Sequence, residues 1–174
     1  MKYFIIIILA LSAQVSAKML ISPFDAIVQT FGENITVKKK NVLLTSTQAK
    51  KIGDDARVKL NSKIFRVFKA QKDSKDIAYG ILINRKVRSK NAVILYIIDD
   101  KSILKTIEII AFNEPIEYIP SKTWQSQFRE IPTDKKLKLS KDIPIITGAT
   151  LSARSVVDGS RLAFSFYNEI LKAK

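Results

Sequence analysis

Between Lys63 and Phe112 the chain sets β-prone runs in quick succession, separated only by short polar turns. Ile64, Phe65, Val67 and Phe68 lie in the first run, Ile77 to Val87 form the second, Ala92 to Ile98 the third and Ile103 to Phe112 the fourth. Branched and aromatic side chains of this kind fit a pleated, half-buried surface. The turns at Asp73-Ser74-Lys75 and Asp99-Asp100-Lys101-Ser102 are too short for the crossover that a parallel pair requires. The expectation is a meandering antiparallel sheet. Its apolar surface must be covered, and that decides what the flanking segments have to do.

Those segments read as helices. Ser22-Pro23 opens one that runs to Phe31, with Ser22 as N-cap, Pro23 at the first helical position and Gly32 as the stop. Ile35 to Leu44 is extended, and Thr45 to Leu60 is a polar helix capped by Thr45 or Ser46. Ser121 to Phe128 is a short helix with Trp124 and Phe128 four positions apart, and 137–146 is loop or short strand. The longest helix is Ser152 to Leu171, with Val156, Ser160, Ala163, Tyr167, Ile170 and Leu171 on one face. The fold class is therefore α+β: one antiparallel sheet with helices packed on it and a long C-terminal helix. The length, 174 residues, suits one domain with a real core.

The first residues read as an address. Lys2, the apolar run Tyr3 to Leu11 and the small-residue ending Val15-Ser16-Ala17 match a secretory signal peptide cleaved after Ala17. The apolar run is short for a membrane span, although an uncleaved N-terminal anchor in the inner membrane is the alternative. The chain divides into a signal peptide at 1–17, a helix-and-strand part at 18–75 and the core of the same domain at 76–174.

The chain has no Cys and no His. That excludes haem attachment through C-x-x-C-H, thiolate zinc sites and His-based nucleophilic catalysis. Any redox chemistry needs a cofactor held by other groups. The formal charge is +14, with Lys spread along the whole chain. This fits a solvated basic surface or attraction to anionic partners, with membrane contact at most peripheral. No basic stripe on a recognisable nucleic-acid-binding fold is present, so neither DNA nor RNA is expected as a partner.

One hexapeptide carries chemistry. Thr147-Gly148-Ala149-Thr150-Leu151-Ser152 lies between an apolar segment and the last helix. Gly148 permits close backbone approach, the N–H groups of a helix start favour an anion, and three hydroxyls stand nearby. The same six residues also suit a plain turn in which Ser152 caps a helix and no ligand is needed.

The stretch from Asp142-Ile143 through Ile146-Thr147-Gly148-Ala149-Thr150-Leu151-Ser152-Ala153-Arg154 to Val157-Asp158-Gly159 resembles the C-terminal signature of FMN-binding domains. That family includes the soluble domains of flavin-bearing components of Rnf complexes and of sodium-pumping quinone reductases, and many free periplasmic flavoproteins. Leu104 to Phe112, Asn113-Glu114-Pro115, Trp124 and Gln127-Phe128 are similar to it in order and spacing, so the likeness covers roughly residues 76 to 172. The resemblance implies that an FAD-dependent flavin transferase esterifies FMN to Thr150, with release of AMP. It implies a phosphate-side turn of Thr147, Gly148, Ala149, Leu151 and Ser152, and a place for Glu114 and Pro115 near the isoalloxazine or in the shaping of its pocket. Phe112, Tyr118 and Trp124 could pack on the ring or belong to core and rim.

Two departures stand out. The position six residues before the modified threonine is commonly acidic in the family, and here it is Pro144, with Asp142 two residues earlier. The Glu-Thr-Pro-Gly turn of the family's membrane-complex members is reduced to Glu114-Pro115-Ile116. The expectation is a periplasmic electron carrier exchanging electrons with redox proteins such as a membrane quinone reductase or a cytochrome. The alternatives are a small reductase with non-covalent FMN, and a flavin-free regulatory or anion-binding module on the same fold.

Overall fold

A computed structural model describes residues 19–172. The expected signal peptide at 1–17 lies outside them. The chain runs through α1 (Pro23–Phe31), β1 (Thr36–Leu43), α2 (Ser46–Ala56), β2 (Ile64–Lys72), β3 (Lys75–Lys86), β4 (Asn91–Asp99), β5 (Ile103–Phe112), α3 (Lys122–Gln125), β6 (Ile131–Pro132) and α4 (Thr150–Phe166). A π-helical turn, Tyr167–Leu171, continues α4. The strands form one six-stranded antiparallel sheet in the order β1-β2-β3-β4-β5-β6. The α+β architecture read from the sequence is the one observed.

Local chemistry explains most boundaries. Asp73 and Ser74 both adopt positive φ, 49° and 63°, giving the twist that a two-residue hairpin loop requires. At the β4–β5 turn Asp99 Oδ1 accepts from the N–H groups of Lys101 and Ile103, at 3.0 and 2.8 Å. Ser22 caps α1 as expected, its Oγ accepting from Asp25 N–H at 3.2 Å. Thr45 forms a full capping box with Gln48 at the start of α2. The end of α2 comes earlier than Leu60, because Arg57 turns left-handed (φ 53°, ψ 42°) and Val58 N–H bonds back to Gly53 O at 3.0 Å. The helix expected over Ser121 to Phe128 is split into α3 and a 3₁₀ turn, Ser126–Phe128. The strand β6 was not expected; it pairs with β5 only at Ile103 and Leu104.

Both faces of the sheet are covered. On one side Phe65, Val67, Ile81, Ile83, Ile94, Tyr96 and Ile107 pack under α2 and α4. On the other, Phe68, Ala70, Ala78, Leu95 and Ile97 meet Ala26 and Ile27 of α1. This is why β4 reads as an almost unbroken apolar run: neither face is wet. Helix α4 comes very close to the sheet at Gly159, where an added Cβ would stand 2.2 Å from Tyr96 Oη. The Tyr96 hydroxyl donates to Val156 O at 2.8 Å, and burial pushes the phenol far above its usual range. No helix among the described residues is long and apolar enough to cross a membrane.

Candidate functional site

The contact of Gly159 with Tyr96 fixes α4 on the sheet, and with it the position of the first turn. The segment that leads in is tied down separately, by Trp124 Nε1 donating to Pro144 O at 2.8 Å. The chain then bends at Gly148 (φ 80°) and enters α4 at Thr150. Ala149 holds the N-cap position, with no side-chain cap at all. Ser152 is not the cap that the sequence suggested; it lies inside the first turn. The N–H groups of a helix's first turn have no intrahelical acceptor, so those of Thr150, Leu151 and Ser152 remain open to an anion.

These residues form one wall of a cavity of about 240 Å³, made of Gly148, Ala149, Thr150, Leu151 and Ser152. Val87, Arg88, Glu114 and Tyr118 form the opposite wall. Thr150 is half-buried, with Oγ1 donating weakly to Ile146 O at 3.3 Å. Ser152 is 2% exposed and brings its hydroxyl group to the same cavity wall.

The eight site residues taken from the sequence do not all converge. Gly148, Ala149, Thr150, Leu151, Ser152 and Glu114 line the cavity, whereas Thr147 and Pro115 are exposed and do not. Glu114 has a definite task. Its Oε1 accepts the N–H groups of Arg88, Ser89 and Lys90 at 3.0, 2.5 and 2.7 Å, and Ser89 Oγ lies 3.2 Å from Oε2. These amides, Lys90 first, outweigh the cost of burial and hold the carboxyl down at about 2. Of the aromatics, Tyr118 lines the cavity, while Trp124 is buried against Phe128 with ring centres 5.2 Å apart, and Phe112 packs on the core.

Val87 and Arg88 escaped the sequence reading. Arg88 is exposed and has no ion-pair partner among the described residues. Larger hollows lie elsewhere, among them one of about 540 Å³ and a second of about 370 Å³. The second is crossed by Lys136–Asp55 and Lys51–Glu169 pairs at 2.7 and 2.6 Å, so its charges already satisfy one another. The cavity at α4 differs in being bordered by an uncapped helix start. The sequence matches no model of a known protein family and no curated protein.

Proposed function

We propose that this chain is an FMN-carrying electron-transfer protein whose flavin is attached through its phosphate to Thr150 Oγ1. One observation carries the reading: a half-buried threonine at an uncapped helix start lines a cavity. An anion there gains from three free N–H groups, the helix dipole and the Ser152 hydroxyl. The residues therefore fit a phosphate. The cavity is at the small end for a whole cofactor, so it suits the phosphate end, with Tyr118 and the exposed Leu151 offering apolar surface at the rim.

In the attachment step Thr150 Oγ1 attacks the flavin-side phosphorus of FAD on the transferase. The new O–P bond replaces the pyrophosphate P–O bond, AMP leaves, and the hydroxyl proton passes to solvent. Once bound, the flavin supplies the redox chemistry that a chain with neither Cys nor His lacks. An ester bond also removes the loss by dissociation that even micromolar affinity, about −8 kcal/mol, would allow in a dilute compartment. Export to the periplasm is part of the same proposal.

A second reading, non-covalent FMN in the same cavity, is favoured by Pro144 at the position where the family's transferase signal is commonly acidic. Intact mass after denaturation separates the two. Protein co-expressed with an FAD-dependent flavin transferase should gain the mass of one FMN less one water, and Thr150→Ala should not. Flavin that co-purifies but leaves the polypeptide on denaturation selects the second reading. Unmodified mass with no flavin in either fraction overturns both.

A further inference from the structure

We propose that Arg88 is the side-chain counter-charge for the phosphoester on Thr150, and that Glu114 is the positioning residue that holds Arg88 on the cavity wall. This rests on the flavin reading and assigns parts that the resemblance does not.

Glu114 follows β5 and is 8% exposed, while the loop 88–90 joins β3 to β4. The carboxylate spans the two connections by collecting three consecutive backbone N–H groups on one oxygen and a serine hydroxyl on the other. Three successive amides form a concave anion seat, and here the anion belongs to the protein. Both oxygens are engaged, and no ion pair joins Glu114 to Arg88 among the described residues. Its charge is met locally by the amides, so it does little to offset the guanidinium.

Arg88 leaves this pinned loop as an exposed residue and lines the same cavity as Gly148 to Ser152. A guanidinium offers a planar fork that matches two phosphate oxygens, and it stays charged at every relevant pH. The comparison with the other arginines facing α4 is direct. Arg85 and Arg161 share the carboxylate of Asp158, at 3.6 and 2.5 Å, which offsets one of their two charges and holds both guanidiniums in place. Arg88 has no such partner among the described residues, and it borders the uncapped helix start.

The test is ³¹P NMR on protein loaded by co-expression with the transferase. Intact mass comes first: no gain in the wild type overturns the attachment to Thr150, and with it this proposal, whatever Arg88 does. With flavin attached, the resonance of the folded protein should be displaced from that of the same protein in denaturant. Arg88→Gln should remove at least half of that displacement, and Arg88→Lys should retain most of it. Glu114→Gln should match Arg88→Gln, and the double variant should move no further, because two residues acting in series do not add. Circular dichroism confirms that each variant is folded. Should Glu114→Gln fail to fold, Glu114→Asp takes its place, keeping the charge but shortening the reach. An undisturbed resonance in Arg88→Gln, or simple additivity in the double variant, overturns the proposal while leaving the attachment intact.

Discussion

The starts of α2 and α4 make an instructive pair. Both are surrounded by hydroxyl residues. At α2, Thr45 and Gln48 close a reciprocal box at 3.2 and 2.9 Å, which satisfies the N–H groups of both residues. At α4, Thr147, Thr150 and Ser152 all stand within reach in sequence, yet none caps the helix. The short helices α1 and α3 also have serine caps, Ser22 and Ser121. The longest helix is thus the one begun without a side-chain cap. A helix start that serves only the fold uses its hydroxyls locally, whereas this one leaves its donors free and depends on packing further along for its place.

That contrast can be broken from its strongest point downwards. Gly159→Ala forces a methyl group onto Tyr96. Overpacking of this kind costs about 3 kcal/mol, from which the better helix propensity of Ala returns about 1 kcal/mol. Chemical denaturation should show a loss of about 2 kcal/mol, part of which Tyr96→Phe should restore by removing the hydroxyl. If Gly159→Ala is neutral, α4 is not anchored where we place it.

Gly148→Ala tests the turn. No atom would contact the added Cβ, so the expected loss of about 1 kcal/mol comes from the left-handed backbone alone. Thr45→Ala should cost about 1 kcal/mol as a lost cap. The matching change at the other helix, Ser152→Ala, should alter the stability of the unloaded protein by less than about 0.5 kcal/mol. Equal losses at Thr45 and Ser152 would erase the distinction between the two helix starts.

The last expected effect is local and comes from pH. The Glu114 carboxyl ionises at about 2 in the folded chain, against 4.5 as its ordinary value. A depressed carboxyl contributes stability that is complete above the unfolded value and is lost as the pH falls through the folded one. Amide exchange at 88–90, corrected for its intrinsic pH dependence, should therefore show constant protection from pH 8 to 5. It should loosen only between about 4.5 and 2.

The sequence revealed structure where the causes are local. The meander was legible because each turn carries its own polar residues, and α1 and α2 were legible because their caps lie next to them. Ser152 misled for the same reason: a hydroxyl at a helix start suggests a cap, and only the three-dimensional path shows that Ala149 takes that position. Strand β6 was hidden by its two-residue length and its proline. The cavity wall from Gly148 to Ser152 was legible. The opposite wall was only half legible, because Arg88 is brought there by sheet register from a hairpin that has no motif of its own. Glu114 was found, but its partners are backbone amides, which sequence cannot distinguish.

Every strand pairs with its sequence neighbour, so the sheet can close through short loops before the rest is in place. Helix α4 follows all the strands, and until it docks over Tyr96 the face it covers is open to water. Thr150, the proposed attachment point, opens this helix, so its surroundings are complete only once the helix has docked. A modifying enzyme that requires the finished turn would thereby act only on chains that have completed folding, so loading with cofactor would double as a check on the fold.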